Sequence, residues 1–140
     1  MAHWLIKSEP FVYDFAALIK DGETSWTGIR SFEARNNVRA MKRGDVCLYY
    51  HSNKGKEIVG IARVKKTAYP DPTAPADERD DWSAVDVEPV KPLAAPVSLA
   101  AIKKNKKLAN MALVKKSRLS VAPVTDAELA EVLTMGKTKL

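Results

Sequence analysis

KRGDVCLYYHSNKGKEIVGIARVKK, residues 42–66, is the stretch whose reading decides the fold. A turn at Lys42-Arg43-Gly44-Asp45 launches Val46–His51, a segment apolar or aromatic on both faces, which is the mark of a central strand. Asn53–Lys56 makes a tight turn around Gly55. Glu57–Lys66 then returns with Ile58, Val59, Ile61 and Val64, so the pair is predicted to form a β-hairpin.

Upstream, His3–Lys7 reads as a short buried strand around Trp4, Leu5 and Ile6, ended by Pro10. Asp14 caps a short helix with Phe15, Leu18 and Ile19 on its core face, and Asp21-Gly22 stops it. Ser31 opens a second helix to about Ala40, with Phe32, Val38 and Met41 inward and Arg35, Asn36 and Arg39 around another side. Downstream, Tyr69–Asp81 concentrates prolines and acids and is predicted to be a long surface loop. Trp82–Val90 alternates as a half-exposed strand until prolines end it. Ser98 caps Leu99 to about Lys104, Arg118–Val124 is a further strand, and Thr125 with Glu128 forms a capping box for a last helix that Gly136 closes. The mixture of short strands and peripheral helices predicts an α+β fold: a curved, barrel-like sheet of about five to six strands with helices at its rim.

At 140 residues, 46% hydrophobic and 29% charged, the chain suits one globular domain spanning residues 1–140. No apolar run approaches the ~20 residues that cross a bilayer, and the N-terminus lacks secretory-signal features, so a cytoplasmic protein without membrane contact is expected. The net charge of +6 is divided: residues 1–70 hold 12 basic and 7 acidic side chains, 71–97 hold 2 and 7, and 98–140 hold 9 and 3. If the two basic segments meet in space, they make a face that attracts phosphates.

A single cysteine, Cys47, with only His3 and His51, offers neither a disulfide nor a zinc spacing, and there is no glycine-rich phosphate loop. Cys47 and His51 share a strand face but stand ~13 Å apart at ~3.3 Å per residue, too far for a nucleophile and its base. No catalytic residue, metal or cofactor is expected. More telling is the company around Trp26: Arg30, Asn36, Asn37, Tyr49, Tyr50 and Ser52, with Lys7-Ser8-Glu9 ending the first strand. A nucleobase needs a flat ring to stack on and amides or hydroxyls for its edge, and those residue types gather here.

The same blocks carry a family resemblance. HWLIKSEP, SWTGIRSFEARNNVRAMKRGD, CLYYHSN, IVGIARV, AYPDPT, WSAVDV and KKSRLSVAPV, in that order over nearly the whole chain, resemble the EVE-domain family. The resemblance implies a PUA-like fold related to YTH domains, and binding of a modified base, of the 5-methylcytosine or 5-hydroxymethylcytosine type, in an aromatic pocket. Trp26 matches the family's W-x-G-V-R block and is the implied stacking wall, with Ile29 in place of valine. Asn36 or Asn37 is assigned the base edge, and Arg30 a phosphate or pocket-wall role. Lys7, Ser8 and Glu9 match a K-S-E-P corner; Tyr50, His51 and Ser52 match a Y-H-S strand end, so both strand ends are expected to open into one pocket. Arg35, Arg39, Lys54 and Arg118 are the expected phosphate ligands, with Ser120 beside Arg118. Ser31-Phe32 departs from the Asn-Tyr of many members.

The reading is a non-enzymatic nucleic-acid reader, acting on DNA rather than RNA, as a monomer, in the cytoplasm or on the nucleoid, or in the nucleus of a eukaryote. The alternatives are a nucleic-acid or nucleotide modification enzyme, and a regulatory domain that binds a free nucleoside or a protein partner.

Overall fold

The computed structural model describes residues 2–140. Its six strands, β1 (His3–Ser8), β2 (Thr24–Trp26), β3 (Val46–His51), β4 (Glu57–Pro70), β5 (Ser83–Ser98) and β6 (Val121–Val124), form one mixed sheet in the order β2-β5-β4-β3-β1-β6. Five α-helices are described: α1 (Phe15–Asp21), α2 (Phe32–Ala40), α3 (Leu99–Lys104), α4 (Ala112–Lys115) and α5 (Asp126–Met135). The sheet curves but does not close, leaving β2 and β6 at its edges.

The β3–β4 hairpin stands at the centre, as its two-sided apolar character requires; Val46–Tyr50 are all buried. β3 pairs antiparallel with β4 and parallel with β1, in the register Lys7 opposite Tyr50 and Ser8 opposite His51. Local chemistry sets the helix starts. The side chains of Asp14, Ser31, Ser98 and Thr125 each accept a hydrogen bond from the backbone amide three residues on, and Thr125 with Glu128 completes a capping box.

Five expectations need correction. Phe32 is 61% exposed rather than inward, because as the first residue of α2 it lies outside the core and stacks on Trp82, ring centroids 5.2 Å apart. Ile19 is also exposed, leaving Phe15 and Leu18 as the buried face of α1. The prolines do not end β5: β2 covers it only at Val85–Val87, so Pro89, Pro92 and Pro96 lie where that side of the strand has no strand partner and their missing N–H costs no ladder bond. Finally, β6 begins at Val121 rather than Arg118, and the loop shrinks because β4 runs to Pro70 and a 3₁₀ turn occupies Ala76–Glu78. Neither β2 nor α4 was expected.

Candidate nucleic-acid interface

Because β1 and β3 are parallel, their C-terminal ends lie side by side, joined where the Ser52 amide donates to the Ser8 carbonyl at 2.9 Å. Two hollows open at this end and share Lys7. One, of about 320 Å³, is lined by Lys7, Ser8, Val12, Tyr13 and Trp26 with the hydroxyl residues Thr24, Ser25 and Thr27. The other, of about 240 Å³, lies among Lys7, Tyr50, Ser52, Asn53, Lys56, Leu99, Leu113 and Ser117. Ser117 also borders a third, shallow hollow with Ser31, Glu33, Lys116, Arg118 and Leu119, so the second hollow adjoins both others.

Trp26 is 9% exposed; its ring meets Tyr49 edge-on at 5.5 Å and 82°, which fixes it as a wall of the first hollow. Tyr49 is in turn tethered by its hydroxyl, which donates to the Tyr13 carbonyl at 2.6 Å. Lys7 donates from Nζ to the Ser117 carbonyl at 2.9 Å and stands 5.9 Å from the centre of the Tyr50 ring. Burial draws the Lys7 ammonium below the usual lysine range and pushes the Tyr50 phenol up.

The sequence-predicted residues divide. Lys7, Ser8 and Trp26 meet in the first hollow; Tyr50 and Ser52 join Lys7 in the second. Glu9 borders neither and accepts from Asn53 Nδ2 at 2.5 Å. His51 Nε2 accepts from the Phe15 amide at 3.1 Å, and burial lowers its pKa, so the imidazole is a neutral cap on α1. Arg30 is drawn away to Asp71, with Nη1 to Oδ2 at 2.9 Å. Asn37 donates to the Val121 carbonyl at 2.7 Å, fastening α2 to β6, and Asn36 accepts from Arg35. Arg35 and Arg39 donate to the carbonyls of Asp81 and Asp80. Arg118 lies at the third hollow, and Lys54 is exposed in the β3–β4 turn.

Sequence reasoning missed the hydroxyls around Trp26, although the run Thr24-Ser25-Trp26-Thr27 was their signal, and missed Val12 and Tyr13, brought in by the turn after β1. Cys47 is fully buried, and burial with Asp45 nearby pushes its thiol far above the reactive range. Among the described residues, no group of three His, Cys, Asp or Glu is placed to hold a metal.

The family model for the EVE domain matches residues 2–135. The chain belongs to the EVE-domain family. It is 35% identical to human thymocyte nuclear protein 1 over 96% of its own length and 73% of that protein's. The crystal structure of an Agrobacterium tumefaciens protein superposes with a TM-score of 0.95 at 45% identity, covering 99% of this chain and 94% of that one. The crystal structure of human THYN1 protein, in complex with DNA containing 5-methylcytosine, superposes with a TM-score of 0.88 at 31% identity over the whole of both chains. This EVE domain therefore has the PUA-like architecture of a relative that has been captured on modified DNA.

Proposed function

We propose that this EVE domain is a non-enzymatic reader of DNA that takes a modified base, of the 5-methylcytosine or 5-hydroxymethylcytosine type, into the hollow walled by Trp26. The observation that carries the reading is that hollow. At about 320 Å³ it is of small-ligand size, with an indole fixed in place and the hydroxyl-bearing residues Ser8, Thr24, Ser25 and Thr27 in its lining. A flat apolar wall stacks on any base, while short polar groups test its edge. The relative captured with 5-methylcytosine-containing DNA supports the choice of ligand.

In this reading Lys7 helps hold the backbone, and Lys54 and Arg118 contact phosphates on either side. The buried Cys47 and the capping His51 support binding without chemistry. Among the described residues no helix is long and apolar enough to cross a membrane. We place the activity with cellular DNA: in the cytoplasm and on the nucleoid of a bacterium, or in the nucleus of a eukaryote.

The test is a titration of labelled oligonucleotides carrying one 5-methylcytosine, one 5-hydroxymethylcytosine or no modification. The modified strands are expected to bind more tightly. Stacking contributes ~1–3 kcal/mol, so Trp26→Ala should weaken binding by about tenfold. Equal affinity for all three oligonucleotides, or an unaffected Trp26→Ala variant, would sink the proposal.

A further inference from the structure

The turn that follows β1 is pinned from several sides. The amides of Val12 and Tyr13 both donate to the Glu9 carbonyl, at 2.9 and 3.0 Å. Glu9 is held by Asn53, the Tyr13 carbonyl by the Tyr49 hydroxyl, and the Tyr13 hydroxyl by Asp21 at 2.7 Å. This anchored turn nevertheless holds two adjacent apolar side chains in water, Phe11 at 72% exposure and Val12 at 69%. Val12 and Tyr13 line the Trp26 hollow, so Phe11 stands one residue outside its lip. A lone exposed apolar residue is ordinary, but an aromatic ring on a braced turn beside a base-sized hollow is placed to act on the same ligand.

We propose that Phe11 is a wedge that enters the stack of double-stranded DNA and fills the gap left by the base drawn into the Trp26 hollow. This rests on the reader function proposed above. A base that leaves a duplex opens a slot ~3.4 Å thick, and enzymes and architectural proteins fill or force such slots with Phe, Leu, Ile or Met. An aromatic ring matches that thickness. A polyanion can be met here, since Lys7 borders the hollow and Lys54 and Lys56 follow Asn53, while the carboxylates of the turn, Glu9, Asp14 and Asp21, are taken up by Asn53, the Ala17 amide and the Tyr13 hydroxyl. The braces hold the backbone of the turn in place, so inserting the ring costs little loop ordering.

The wedge predicts a difference between duplex and single strand that a pocket residue would not produce. The probe is a short DNA duplex with one central 5-methylcytosine, compared with the same strand unpaired. Phe11→Ser is expected to lower duplex affinity about tenfold and single-strand affinity less than about twofold, and Phe11→Leu to restore most of the loss. Thermal melting confirms that the exposed substitution leaves the fold intact.

Equal losses on duplex and single strand, or none on the duplex, would overturn the wedge while leaving the reader function standing. Conversion of a wild-type dimer to a monomer by Phe11→Ser would also overturn it, by assigning the ring to self-association. If wild-type protein shows no preference for 5-methylcytosine in either strand form, the reader function fails and the wedge fails with it.

Discussion

At the scale of single residues, Asp71 shapes the approach to Trp26 although it touches no hollow. Its carboxylate has no solvent exposure and accepts from the Gly28 amide at 2.8 Å, the Thr73 amide and hydroxyl at 2.7 Å each, and Arg30 at 2.9 Å. Burial pushes the acid's pKa up, but the hydrogen bonds from Thr73, Arg30 and Gly28 outweigh it and bring it from 3.8 down to about 2. The folded-state value lies below the unfolded one, so the contribution to stability is complete above about pH 4 and is lost as pH falls through about 2. Arg30 is 37% exposed, so the three bonds from Gly28 and Thr73 carry more of it than the ion pair. Asp71→Asn is expected to cost about 2 kcal/mol in urea denaturation at pH 7, and the gap to wild type should narrow between pH 4 and pH 2. A gap independent of pH would show that the charge is not what matters.

At the scale of elements, α1 meets the sheet through Phe15, which packs over Gly60 so closely that a Cβ there would lie 2.5 Å from two ring atoms. Phe15 also packs against Tyr49, at 5.3 Å between ring centroids, and its amide donates to His51, so the fit reaches the strand end at the hollows. Gly60→Ala should destabilise the protein by about 1–3 kcal/mol, and adding Phe15→Leu should recover part of that loss in a double-mutant cycle. Strictly additive losses would contradict this packing. The elements that sequence reveals here are those fixed by neighbours along the chain. The β3–β4 hairpin shows in its apolar pattern, and the caps at Asp14, Ser31 and Thr125 act over three residues. What was not legible depends on distant partners. The three residues of β2 become a strand only against β5, and prolines are tolerated in β5 only past the point where β2 stops. The site divides the same way. Lys7, Ser8 and Trp26 were visible as a group, whereas Arg30 and Asn37 are claimed by Asp71 and Val121, 41 and 84 residues away.

At the scale of the whole molecule, the charge segregation visible in the sequence acquires a direction. The acidic stretch 71–97 folds against Arg30 and the basic side of α2, where Asp71 pairs with Arg30 and the loop carbonyls of Asp80 and Asp81 receive Arg39 and Arg35. Those three arginines are thereby engaged with their own chain. Lys7, Lys56, Lys116 and Arg118 border the three hollows, with Lys7 held by the Ser117 carbonyl and Lys116 by Glu33, and Lys54 stands exposed in the β3–β4 turn. Cations that contact phosphates release counterions on binding, so each such contact adds ~0.9 to the slope of log affinity against log salt for duplex DNA. Replacing both Lys54 and Arg118 with Gln should lower that slope by about 2 between ~50 and ~200 mM salt, with similar losses on modified and unmodified DNA. Replacing both Arg35 and Arg39 with Gln should leave the slope unchanged while lowering the melting temperature, because their donors hold the acidic loop to α2. If the Arg35 and Arg39 pair instead governs the salt slope, DNA lies across the α2 face, and the hollows at the ends of β1 and β3 are not where the duplex sits.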